Sequence, residues 1–124
     1  KCCKAPAFCM RSDRLYLVDI IEATDAIAAF ISDVDTEGFL NNDLVRSAVL
    51  HKLTIISEAA ARVSMPLRAR FPETPWSDIV GFRNIAVHAY FSVDWQIVWQ
   101  TASSDTPQLR EQVVRILQTT FPDP

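Results

Sequence analysis

The chain has only two glycines, Gly38 and Gly81, in 124 residues. Tight hairpins draw on glycine for positive φ, so this scarcity disfavours a fold of β-hairpins and favours helices. No apolar run reaches the ~18 uninterrupted residues of a membrane span. The nearest, Leu15 to Ile31, carries Asp19, Glu22 and Asp25, so no membrane role is expected. A strand, Gly-rich loop and helix in succession are also missing, which argues against a nucleotide-hydrolysing fold. Cysteine is absent after residue 9. Cys2, Cys3 and Cys9 all lie in KCCKAPAFC, without the C-x2-C spacing or fourth ligand of a zinc site. Neither a metal nor a disulfide framework is expected, and with no secretory h-region the cytoplasm is the expected location. A basic excess is lacking too. The formal net charge is −3, and from Met10 onward ten basic residues face fifteen acidic ones, or −5. That balance counts against a general nucleic-acid binder. It leaves room for a local basic cleft, because Arg62, Arg68, Arg70 and Arg83 fall within about one third of the chain.

What remains is one domain's worth of ordinary globular sequence, 49% hydrophobic and 22% charged. Residues 1–9 stand apart from its patterning and read as an expression leader or non-native start, with residues 10–124 forming the single domain. A first helix begins at a cap on Ser12 or Asp13 and runs to about Val34, followed by a polar break over Asp33 to Gly38. A second, capped by Asn41 or Asn42, extends to about Val63. Its apolar face is too broad for a simple surface helix, so it is expected centrally or in a subunit contact. Met65 to Thr74, with two prolines, reads as a loop or short helix. Thr74 and Pro75 then start the next helix. A further piece begins at Ser92 or Asp94. Ser103 to Pro107 reads as a break before a last amphipathic helix bearing Leu109, Val113, Ile116 and Leu117. Trp76, Trp95 and Trp99 are expected in the core or an interface rather than as nucleotide stackers. The fold class is therefore all-α, a bundle of four to five helices with an up-down core and short C-terminal helices.

The chemistry concentrates in Arg83-Asn84-Ile85-Ala86-Val87-His88-Ala89-Tyr90. At about 100° per residue, with Arg83 at zero, Val87 falls near 40°, Asn84 near 100°, His88 near 140° and Tyr90 near 340°. Ile85, Ala89 and Ala86 fill the arc from about 200° to about 300°. The polar side chains share one arc and the small apolar ones lie opposite. Histidine exchanges protons near neutral pH, and arginine grips a phosphate with paired hydrogen bonds. Together they suit cleavage of an RNA phosphodiester: a base takes the 2′-OH proton and a cation stabilises the charge building on the phosphate. Asn84, one turn before His88, is placed to orient the imidazole or bind a ligand oxygen. A lone helical histidine is also commonly a structural hydrogen-bonder, and that reading stands beside the catalytic one. On the second helix His51 and Glu58 share the polar side. Both fit a solvated face, and His51 also fits a second proton carrier.

Arg83, four residues, His88, one residue and Tyr90 resemble the Arg-x4-His-x-Tyr motif of the HepT-like branch of the HEPN superfamily. RLYLVDIIEATDAI (residues 14–27) resembles its first helix, and NDLVRSAVLHKLTIISEAA (residues 42–60), with Glu58 before paired alanines, its second. Pro75-Trp76 through Gly81-Phe82-Arg83-Asn84 resembles the approach to the motif. The resemblance implies a HEPN-like bundle and a homodimeric ribonuclease toxin of a type II- or VII-like toxin–antitoxin pair. It implies Arg83 and His88 as catalytic residues, with Asn84 and Glu58 in support. The implied partner is a nucleotidyltransferase antitoxin of the minimal (MNT) type, which attaches AMP to Tyr90. No cofactor is expected. Because carboxylates do not cluster with the motif in sequence, RNA cleavage is expected without a divalent metal. The alternative is a non-catalytic nucleotide- or partner-binding helical dimerisation module.

Overall fold

The computed structural model describes residues 12–88 and 92–122, with the side chains of 85–88 outside the described set. Residues 1–9, expected as a leader, and Tyr90 therefore lie outside the described residues. The described part has seven α-helical segments: α1 (Asp13–Phe30), α2 (Thr36–Leu40), α3 (Asp43–Arg62), α4 (Met65–Arg70), α5 (Trp76–His88), α6 (Trp95–Gln100) and α7 (Thr106–Thr120). The all-α expectation holds, and α1, α3, α5 and α7 form the up-down core.

Long-range bonds fix the directions of these four helices. The Asp13 carboxylate at the start of α1 accepts from the Ser64 backbone N–H at 2.8 Å and from its hydroxyl at 2.6 Å, just past the end of α3. Near the start of α5 the Ser57 hydroxyl donates to the Ile79 carbonyl, so α5 runs antiparallel to α3. Arg110 of α7 pairs with Asp25 of α1 at 2.6 Å. Helix α3 is the central member. It packs chiefly on α1 and α5, and α7 packs on α1. Its buried set, Val49, Leu50, Leu53, Ile56, Ser57, Ala59 and Ala60, wraps about half its circumference. That explains the breadth of its apolar pattern.

Local chemistry sets most boundaries. Asn42 accepts from Val45 N–H at 3.1 Å and Asp94 from Gln96 N–H at 3.0 Å, each supplying an acceptor to an otherwise unpaired helix N–H. Ser12 holds the cap position of α1 without a side-chain bond, and Asp13 in the first turn directs its carboxylate to Ser64. Arg68 donates to the carbonyls of Val63 at 3.0 Å and Ala61 at 2.8 Å, closing the end of α3.

Two expectations need correction. The first helix stops at Phe30, and a short helix forms inside the anticipated polar break. There Asp35 accepts from Gly38 N–H at 2.7 Å, and Phe39 is fully buried against Trp99, with ring centroids 5.0 Å apart, and the edge of Trp95. The break at Ser103 to Pro107 is instead a π-helical turn, Thr101–Asp105, which joins α6 to a fifteen-residue α7. Pro107 sits in the first turn of α7, where a missing N–H costs least. Thr106 Oγ1 donates at 2.7 Å to the Ala102 carbonyl, the group a π-type bond from residue 107 would have used. The C-terminal helix is accordingly long rather than short.

Phe39 tests how the small helices are held. Phe39→Ala removes a fully buried ring at the junction of α2, α3 and α6. It should lower unfolding stability by about 3–5 kcal/mol in chemical denaturation. A loss below about 1 kcal/mol would mean that α2 contributes little to the fold.

Candidate active site

Helix α5 is anchored at its start. Trp76 is 7% exposed, and its indole N–H donates to the Phe71 carbonyl at 3.0 Å. The Ile79 backbone N–H donates to Pro75 O at 3.1 Å, the first intrahelical bond. Further along, Ser57 brings α3 close, since a small side chain bonds directly to the α5 backbone. Ile79, Val80 and Phe82 are half-buried against the core, whereas Arg83 and Asn84 are exposed. The described part of the motif thus presents its polar side chains outward, as the helical arc requires. His88 is the last residue of α5. It lies five residues, about 7.5 Å of helix axis, beyond Arg83.

The α3–α5 contact has two distinct edges. On one, Leu53, Ile56 and Ser57 of α3 meet Asp78, Ile79 and Phe82 of α5 in a groove. The other edge follows from helical geometry. Arg83 lies about 40° past Ile79, turning away from Asp78 and Phe82. Glu58 lies about 100° and His51 about 120° past Ser57, turning away from Leu53 and Ile56. For antiparallel helices these rotations lead to the same side. Arg83, Glu58 and His51 are all exposed and share that edge. Glu58 forms no ion pair with Arg83 among the described residues. Asn84, about 140° past the contact, points further outward.

The rest of α3 completes this surface. Leu44, Ala48 and Ile55 lie about 140–180° past Ser57. Leu44 is 79% exposed despite being apolar, and Ala48 and Ile55 are only half-buried. An apolar stripe therefore runs beside the edge that carries Arg83.

Three other arginines are committed to the fold. Arg68 closes α3. Arg46 donates to the Leu40 carbonyl at 3.1 Å and stacks over the Trp95 ring at 4.9 Å, and Arg110 pairs with Asp25. Arg83 takes part in no such bond among the described residues. Among the same residues, no group of three or more His, Cys, Asp or Glu side chains could hold a metal ion. No helix of the described residues is long and apolar enough to cross a membrane.

Sequence reasoning placed Arg83, Asn84, His51 and Glu58 on polar faces. It did not show that Arg83 shares an edge with the latter two, because that depends on the packing of α3 against α5. The side chain of His88 and all of Tyr90 lie outside the described residues.

A family model described as "Ribonuclease HepT-like" matches residues 20–116, which include the whole of α3 and α5. A Methanocaldococcus jannaschii protein named as a candidate RNase is 36% identical over 103 residues, covering 83% of this chain and 94% of its own. A Thermococcus cleftensis protein named "Probable ribonuclease HepT" is 36% identical over 100 residues, covering 81% and 91%. A further candidate RNase, from Caldanaerobacter subterraneus, is 30% identical over 109 residues, covering 88% and 97%. No solved structure matches the chain.

Proposed function

Because the chain belongs to the HepT-like ribonuclease family, in the HEPN superfamily, we propose that it is an endoribonuclease whose reaction is carried by Arg83 and His88. The observation that carries this reading is the exposed guanidinium of Arg83, without an ion pair among the described residues, about one and a half turns before His88 on an anchored helix. An imidazole takes the proton of a ribose 2′-OH. The 2′-oxygen then attacks the adjacent phosphorus, and the 5′-oxygen leaves with a proton returned by an acid. Arg83 neutralises the charge that builds on the phosphate oxygens. Asn84 and Glu58 act in support, Asn84 on a ligand oxygen and Glu58 from the neighbouring face of α3. No divalent ion is needed for these steps. The place of action is the cytoplasm.

One base and one acid are needed, and the motif supplies one histidine per chain. A two-fold axis over the edge that carries Arg83 brings two motifs into one cleft, because such a contact uses the same patch twice. The stripe of Leu44, Ala48 and Ile55 beside that edge supplies apolar area for a homodimer.

Control by a nucleotidyltransferase partner, as in a toxin–antitoxin pair, follows from Tyr90. Its phenol oxygen attacks the α-phosphorus of ATP, forming a phosphodiester to AMP and releasing pyrophosphate. The added anion then occupies Arg83 or repels the RNA phosphate. Mass spectrometry after incubation with an MNT-type partner and ATP should show added AMP units and loss of RNA cleavage, both absent in Tyr90→Phe. Full neutralisation of Tyr90→Phe would assign control to binding alone or to another residue.

A further inference from the structure

The groove on the opposite edge of the α3–α5 contact plays no part in the reaction proposed above. In a closed four-helix bundle α5 would pack on α7. Here the described residues show no substantial α5–α7 contact, and the two helices stand apart over α3. The space between them is about 390 Å³, within the range of sites that take ligands or partner side chains.

Its floor is apolar: Leu53 and Ile56 from α3, Phe82 from α5 and Leu109 from α7. Its rim carries Asp78 and Asp105, both exposed. Among the described residues no lysine, arginine or histidine lines it. Neither rim carboxylate is spent locally. Asp105 precedes α7 without making a cap bond, and Asp78 pairs with no cation among the described residues. One wall of the groove is also where the helix departs from regularity. The π-helical turn places Thr101 and Asp105 on the groove wall, and such turns occur frequently at functional sites. Two splayed helices over an apolar floor form the helix-in-groove arrangement, in which apolar side chains one turn apart anchor a partner.

We infer that this groove docks a basic amphipathic helix of a partner protein, with leucine-type side chains on the floor and lysine or arginine against Asp78 and Asp105. Charge complementarity selects that occupant. An acidic rim repels a nucleic-acid backbone and disfavours acidic peptides. The inference is independent of the ribonuclease reading, since the groove and the Arg83 edge lie on opposite sides of the α3–α5 contact.

The probe is a peptide of three Leu-Lys-Lys-Leu repeats, compared with the same peptide carrying glutamate in place of lysine. Methyl NMR of the full chain should show saturable shifts at Leu53, Ile56, Ile79 and Leu109 with the lysine peptide and none with the glutamate peptide. The double variant Asp78→Asn, Asp105→Asn should bind the lysine peptide about tenfold more weakly. The variant Asp78→Lys, Asp105→Lys should switch preference to the glutamate peptide. Both positions are exposed, and unchanged circular dichroism checks that the fold survives. The inference is overturned if the lysine peptide shifts no groove methyl, if its shifts map instead to Leu44 and Ile55, or if both rim variants bind it as the natural chain does.

Discussion

His88→Ala should abolish RNA cleavage while leaving thermal unfolding unchanged. Removal of one general acid–base group costs about 10²–10⁴-fold in rate. Arg83→Ala should lose nearly as much, because its guanidinium is exposed and makes no structural bond among the described residues. That exposure separates the chemical from the structural role: truncation leaves no buried partner unpaired, so stability has no reason to fall. Arg83→Lys should rescue poorly, since an ammonium cannot make the paired contact to a phosphate. Rates on a defined RNA, measured beside melting curves for each variant, check this. Full activity in His88→Ala would remove histidine from the mechanism.

Ile55→Glu combined with Leu44→Glu should convert the proposed dimer to a monomer and reduce cleavage at least about 10²-fold. Leu44 is 79% exposed in the single chain, so glutamate there costs the isolated fold little. In a two-fold contact two copies of each glutamate would be buried together, and like charges desolvated without partners are strongly unfavourable. The loss of activity follows because a single chain brings one His88 to a reaction that needs an acid and a base. Sedimentation velocity at micromolar concentration reads the assembly and the RNA assay reads the consequence. A natural chain that sediments as a monomer, or a monomeric variant that cleaves normally, would remove the shared cleft from the account.

These predictions draw on features of unequal legibility. The caps at Asn42 and Asp94 and the outward placement of Arg83 and Asn84 follow from local rules, and the sequence carries them within a few residues. The π-helical turn is opaque because Pro107 and its serine and threonine neighbours are ordinary break signals. Only the hydroxyl bonds of Ser103 and Thr106 to the preceding turn show how the helix absorbs them. Phe39 turned an apparent loop into a helix through burial against Trp95 and Trp99, more than fifty residues away. The groove was invisible for the same reason. Its floor and rim come from three stretches, around Leu53, Asp78 and Asp105, that meet only through packing. The shared edge of Arg83, Glu58 and His51 likewise depends on the antiparallel register set by Ser57 and Ile79.

In the proposed reaction Arg83 and His88 drive attack by the ribose 2′-oxygen. Its most direct measurement is the chemistry of the RNA ends made by the purified chain in excess EDTA. The account predicts cleavage under chelation, with a 2′,3′-cyclic phosphate on one fragment and a 5′-hydroxyl on the other. Products bearing 5′-phosphate and 3′-hydroxyl ends, or cleavage that stops in EDTA and returns with magnesium, would contradict it.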